Sequence, residues 1–170
     1  LRDAEIAQWV VFDLEANGGG KVRADVLKFL GRPETEFHLV VHWSGHPISP
    51  DKAAQYRNVL DDLAPAKNRA SLRMWRHDPG KMHAKVYASS RGGLLSSVLV
   101  GSNNLTGSAL THNTEAGVLE TRDLPESEID AFLASAMKGS ELCDQAWLSE
   151  HTATGAAPPP DDDPFKQLSI

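Results

Sequence analysis

Only one cysteine, Cys143, occurs in the 170 residues. Without a second thiol the chain forms neither an internal disulfide nor a thiolate metal cluster, and a reducing cytosol is its natural setting. Although 41% of the residues are hydrophobic, no apolar run approaches the ~18 residues that a membrane-crossing helix needs. No signal-peptide pattern opens the chain, so the expectation is a cytoplasmic protein with no membrane partner. Internal repeats are lacking. Gly18-Gly19-Gly20-Lys21 lacks the second half of a phosphate loop, and no Ser or Thr follows Lys21, which leaves a flexible turn. His42 and His46 stand four apart, but Gly45 and Pro47 forbid the helix that would set them on one face for zinc. Asp13 and Glu15 could pair on a metal, yet no lysine follows at a useful spacing, and they read as surface or turn acids. No metal and no cofactor is expected.

What is present is an alternation of strand and helix patterns. Ile6 to Leu14 is apolar and fits either type. Lys21 to Leu30 sets Val22, Val26, Leu27 and Leu30 at helical spacing, and Phe37 to Trp43 reads as a strand. Ser49-Pro50-Asp51 opens a helix with proline at its first position, and Ala53, Tyr56, Leu60 and Leu63 form its apolar face. Leu72 to Trp75 is a strand. Lys81 to Ala88 and Ser96 to Asn103 read as two more, joined by a turn over 89–95 that contains Gly92-Gly93. A strand follows over Thr114 to Glu120, then a helix from Pro125 to Lys138 that Gly139 stops, and a shorter helix through Leu142, Ala146 and Trp147. The pattern predicts an α/β fold, a mixed β-sheet with helices on both faces. It spans residues 1–150, and residues 151–170, with Gly155-Ala-Ala-Pro-Pro-Pro-Asp-Asp-Asp-Pro, read as a disordered tail or linker.

The formal net charge of −6 argues at first against a nucleic-acid partner. Its distribution argues the other way. Residues 67 to 91 hold Lys67, Arg69, Arg73, Arg76, Lys81, Lys85 and Arg91 against the single acid Asp78. Such a basic belt is the footprint expected for a polyanion, DNA or RNA. Arg73, Trp75, Arg76, Lys81 and Arg91 are therefore candidate nucleic-acid contacts, Trp75 by stacking on a base. The plainer reading of Trp75 is strand packing.

The belt surrounds the group of residues richest in chemistry. Met82-His83-Ala84-Lys85-Val86-Tyr87 is followed by Val100-Gly101-Ser102-Asn103-Asn104-Leu105-Thr106 and by Asn113-Thr114-Glu115. If the two strands pair as an antiparallel hairpin centred near Gly93, His83 falls opposite Asn103 or Asn104, and Lys85 near Ser102. Residues two apart share a face, so His83 and Lys85 point one way, as do Ser102 and Asn104. A slip of one residue would undo this. An imidazole can attack phosphorus when neutral or donate a proton when charged. Lys85 would offset charge growing on phosphate oxygens, Ser102 and Asn104 would donate hydrogen bonds to them, and Glu115 could hold the far nitrogen of the ring.

His-x-Lys, then Gly-Ser-x-Asn-Leu-Thr, then Asn-x-Glu resembles the phospholipase D superfamily, and most of all its small single-motif nucleases. The likeness covers roughly residues 37 to 120. It implies that His83, Lys85, Asn104 and Glu115 are catalytic, with His83 forming a phosphohistidine and Glu115 its partner. It implies a phosphate clamp of Lys85, Ser102 and Asn104. It also implies a phospholipase D-like half domain, a hydrolase acting on phosphodiester bonds without metal, and a DNA endonuclease.

Two departures bear on this. The family pattern carries an aspartate at the position of Ser90 here, and members that cleave nucleic acid often lack it. The reaction also needs two histidines, one to attack and one to protonate the leaving oxygen, and no second His-x-Lys exists in the chain. A homodimer in which each copy contributes His83 meets that need. The chain opens at Leu1 without Met, so it is also readable as half of a longer protein. Two alternatives remain. One is a non-catalytic nucleic-acid-binding module of the same kind. The other is a phospholipase or phosphatidyl transferase, which would want an exposed apolar surface or an amphipathic anchor, and neither is legible.

Overall fold

The computed structural model describes residues 1, 3–11, 20–76, 85–101, 117–120 and 128–154. Its centre is a seven-stranded sheet in the order β6-β5-β4-β1-β2-β3-β7. The strands are β1 (Ile6–Val11), β2 (Glu36–His42), β3 (Ala70–Trp75), β4 (Val86–Arg91), β5 (Leu94–Gly101), β6 (Gly117–Glu120) and β7 (Ser140–Leu142). β1, β2 and β3 run parallel. β4 joins β1 antiparallel, and β5, β6 and β7 are antiparallel to their neighbours.

Helices α1 (Gly20–Leu30) and α2 (Pro50–Leu63) link the three parallel strands, α2 through a 3-10 turn at Ala64–Arg69. The strands step in one direction across the sheet, and crossovers of one hand then put both helices on the same face. There Val26, Phe29 and Leu30 of α1 and Ala53, Tyr56 and Leu63 of α2 bury Ala7, Trp9, Phe37, Leu39, Val41, Leu72 and Met74. A short helix, α4 (Gln145–His151), adds Leu148 to this core. The other face takes α3 (Glu128–Gly139), whose Leu133 and Ala136 pack with Val10, Val40, Trp75, Val86, Ala88 and Val98. A central strand covered on both sides cannot alternate. Leu39, Val40 and Val41 are accordingly all buried, as a parallel strand demands.

The local rules hold where sequence chemistry is strong. Ser49 caps α2, its hydroxyl accepting from the Lys52 N–H at 3.3 Å, with proline in the first turn. Gly92 and Gly93 take positive φ of 57° and 79°, the pattern of a two-residue hairpin turn whose twist matches its strands. That turn corrects the predicted loop over 89–95. Ser89, Ser90, Leu94 and Leu95 belong to the ladder, with a register shift between Ser89 and Ser90. The chain is held there by Ser89 Oγ against Ser97 Oγ at 2.7 Å. β7, which lies between α3 and α4, corrects the helix predicted through Leu142: Leu142 pairs with Arg73 in the sheet, and the helix begins only at Gln145. The tail expected over 151–170 begins later than predicted: His151 ends α4 and Thr152 bridges to Ile48, while residues 155–170 and the acids Asp13 and Glu15 lie outside the described residues.

Candidate active site

The carboxyl ends of β1, β2 and β3, the start of β4, the end of β5 and the start of β6 share one edge of the sheet. Open sheets of this kind bind ligands beyond the carboxyl ends of their parallel strands. Lys85 stands at that edge, 7% exposed, and its carbonyl accepts the Gly101 N–H at 3.1 Å. Gly101 in turn pairs with Gly117. Lys85, Gly101 and Gly117 thus lie level on three neighbouring strands. A Cβ on Gly117 would meet Leu99 Cδ1 at 3.0 Å and the Val100 carbonyl at 3.1 Å, so any other residue there would push these neighbours back. Alternation along β4 puts Lys85 on the face of Tyr87, whose ring meets Trp9 edge-on at 5.4 Å. Trp9 meets Phe37 in the same way at 5.0 Å. Aromatic packing therefore backs the lysine from inside the sheet.

His83, Ser102, Asn104, Glu115 and Lys81 lie outside the described residues. The strands they adjoin are the ones that converge: Lys85 is two residues after His83, Gly101 directly precedes Ser102, and Gly117 is two residues after Glu115.

The basic belt does not hold together as one patch. Arg69 donates to the carbonyls of Leu30, Arg32 and Thr35 at 3.3, 3.0 and 2.7 Å, and so clamps the end of α1 to the start of β3. Arg73 is turned to β7, donating to Ser140 Oγ at 2.8 Å and to its carbonyl at 2.7 Å. Trp75 is 7% exposed and packs edge-on to Phe132 at 5.8 Å. It is core, and its face is not offered to a base. Arg91 sits beside the hairpin turn at the opposite end of β4 from Lys85, roughly 20 Å away at about 3.4 Å per residue. Among the described contacts expected from sequence, Arg76 remains exposed at the edge where Lys85 lies.

Ser90, the position of the missing aspartate, pairs with Ile6 and Leu95. It too is far from Lys85, roughly 17 Å along the strand. Glu5 lies at that end, and its Oε2 accepts the Gly92 N–H at 2.9 Å.

One cluster at the site edge has no counterpart in the sequence reading. Trp43, just past β2, meets Trp147 at 5.0 Å and His151 at 4.9 Å, nearly perpendicular to both. Trp147 and His151 stack at 4.0 Å. Nothing along the chain links residues 43 and 147; the sheet and α4 bring them together. Elsewhere Cys143 is buried, and burial with the neighbouring Asp144 carboxylate pushes its thiol up to about 12. Among the described residues no three His, Cys, Asp or Glu side chains gather to hold a metal, and no helix is long and apolar enough to cross a membrane.

By sequence the chain matches no protein-family model and no curated protein. By fold it is similar to NucT from Helicobacter pylori, with a TM-score of 0.52 at 15% identity over 82% of each chain. The fold is phospholipase D-like. A yeast tyrosyl-DNA phosphodiesterase also aligns, at a TM-score of 0.41 and 14% identity, over 82% of this chain and 36% of that one. In this phospholipase D-like sheet, the edge formed by Lys85, Gly101 and Gly117 is the candidate site.

Proposed function

We propose that the chain is a metal-independent phosphodiester hydrolase acting on nucleic acid, with DNA as its first substrate, through a phosphohistidine at His83. The observation that carries this is the alignment of Lys85, Gly101 and Gly117 on adjacent strands. Continued by two residues, that register would set His83 level with Asn103 and, one strand further on, with Glu115, and Ser102 and Asn104 would adjoin Asn103 along the chain. Strands ~4.8 Å apart would bring His83, Lys85 and Glu115 to one phosphate on one face of the sheet. Strict alternation would turn Ser102 and Asn104 to the other face; we propose that the chain leaves strand geometry after Gly101, which lets these two join the clamp. The fold shared with NucT adds to the reading.

In the proposed reaction a neutral His83 nitrogen forms the bond to phosphorus as the bond to the leaving oxygen breaks. His83 of a second copy gives that oxygen its proton. The second histidine then takes a proton from water, the resulting hydroxide attacks phosphorus, and the N–P bond breaks to free the phosphate monoester. Lys85 and the Ser102 and Asn104 donors offset charge on the oxygens that phosphorus keeps, and Glu115 orients each ring. Two copies are needed for the two histidines. Val100 and Val118, paired across β5 and β6 and exposed by 41% and 72% beside this edge, are the apolar surface that a second copy would cover. This exposed apolar strip is also a feature that the sequence pattern did not foretell. The position of Ser90, far from Lys85, supports activity without the aspartate, because what is missing there is a group at the hairpin end.

The test is cleavage of plasmid and single-stranded DNA in EDTA, wild type beside His83→Ala, with the mass of the species measured by light scattering. The expected result is cleavage by a wild-type dimer and none by the folded variant. Equal cleavage by both proteins would refute the mechanism. Binding without turnover would favour the non-catalytic module.

A further inference from the structure

We propose that Trp43, supported by Trp147 and His151, forms with Arg76 a subsite that holds a nucleotide of a single-stranded polynucleotide beside the scissile phosphate; this rests on the function proposed above. Trp43 lies on the same sheet face and at the same edge as Lys85. Val11 pairs with Val41, two residues before Trp43, while Val10 pairs with Val86, next to Lys85. Two strand spacings and two residues then separate Trp43 from Lys85, roughly 12 Å, a span that neighbouring nucleotides cover.

The chain fixes this cluster before any ligand arrives. The Trp43 N–H of the backbone donates to the Trp75 carbonyl at 3.1 Å. Its indole N–H donates to the His46 carbonyl at 2.8 Å, and the Trp147 indole donates to Glu141 Oε2 at 2.8 Å. With both indole nitrogens engaged, the ring faces are what these side chains have left to offer. All three rings are half-buried, held by packing yet open to solvent in part. Such faces take any base, because every base has a π face.

Arg76 supplies the charge. It follows Trp75 directly and is exposed. Gly45, at φ 83°, makes room for it: a Cβ there would lie 2.8 Å from Arg76 Nε and 3.0 Å from Cζ. The guanidinium is thus seated against the Trp43–His46 loop, beside the aromatic cluster. Of the carboxylates near the cluster, Glu141 accepts the Trp147 indole N–H and Asp144 accepts the Trp147 backbone N–H. A flat aromatic surface with a seated guanidinium next to it fits a base and its phosphate. It fits neither an acidic peptide nor an apolar ligand as well.

The experiment uses the full chain in the His83→Ala background, with labelled DNA and RNA single strands and matched strands carrying abasic positions, read by fluorescence anisotropy. Trp43→Leu is expected to weaken binding of intact strands roughly 5- to 150-fold, the loss of one stacked base. Trp43→Phe should restore most of it, and the effect should vanish on abasic strands. Arg76→Ala should lower the slope of log affinity against log salt by about 1, on intact and abasic strands alike. A Trp43→Leu protein with unchanged melting temperature and unchanged affinity would overturn the subsite, as would equal weakening on intact and abasic strands. Should Trp43→Leu fail to fold, Arg76 decides, since it is exposed and outside the core; an unchanged salt slope overturns the subsite. If the wild type cleaves and these variants bind as before, the subsite is wrong and the hydrolase stands. If the wild type neither binds nor cleaves, both fall.

Discussion

Replacing Arg69 with alanine removes three hydrogen bonds at once, to the carbonyls of Leu30, Arg32 and Thr35. Leu30 is the last residue of α1, so its carbonyl has no partner within the helix. Charged donors stabilise by about 1.5–3 kcal/mol each. One of these bonds is long at 3.3 Å, and two share a single nitrogen. The side chain is half-buried, so water replaces part of what is lost. The expected cost is about 2–4 kcal/mol, and the melting temperature should fall by roughly 4–16 °C in a domain of this size. Thermal denaturation followed by circular dichroism measures it. Arg69→Lys keeps the charge and loses the planar fork, and it should recover less than half of the stability. Nucleic-acid affinity of the folded variants should not change. An Arg69→Ala protein that keeps its melting temperature and loses affinity would refute the reasoning and return Arg69 to the binding surface.

Trp75→Ala should cost about 3–5 kcal/mol, as expected for an aromatic ring removed from a packed core, with oligonucleotide affinity retained below the melting temperature; urea denaturation beside a binding titration checks both. Cys143 predicts a pH dependence. Its folded value is raised to about 12, above the ordinary thiol value, so the unfolded chain gives up this proton first. The stability present below about pH 9 is therefore lost as pH rises from 9 toward 12, and Cys143→Ala should flatten that decline in urea midpoints. For the same reason a thiol reagent at pH 8 should label the native protein no faster than it unfolds.

The layers of this fold are legible in the sequence because burial writes a period. The helical spacing of Val26 and Leu30, the Ser49-Pro50 start and the Ile129, Phe132, Leu133 and Ala136 stripe each correspond to a helix, although in α1 it is Phe29 that joins the buried face and Leu27 that is exposed. Leu39-Val40-Val41 is a strand with apolar residues on both sides because helices cover both faces. The hairpin is longer than the sequence suggests because Ser89 and Ser90 resemble loop residues, whereas both pair with β1 and β5 and the Ser89 hydroxyl meets Ser97 across the ladder. β7 was missed because three residues carry too short a pattern, and its place is set by pairing with β3.

The chemistry divides differently. Charge and residue type are properties of the sequence, so a lysine among basic neighbours, two residues from His83, could be read directly. Which cations remain available is decided by what each meets in three dimensions. Arg69 and Arg73 are drawn to orphan carbonyls and to Ser140, Trp75 enters the core, and Arg91 is carried to the far end of β4. Arg76, Trp43, Trp147 and His151 come to share one edge only because parallel strands end there and α4 folds back beside them. Sequence determined the periodicity, the fold class and the chemical repertoire, because those depend on local order along the chain. Tertiary structure alone decided which charges are exposed and which rings meet, because hydrogen-bond partners and packing neighbours are set by residues tens of positions away.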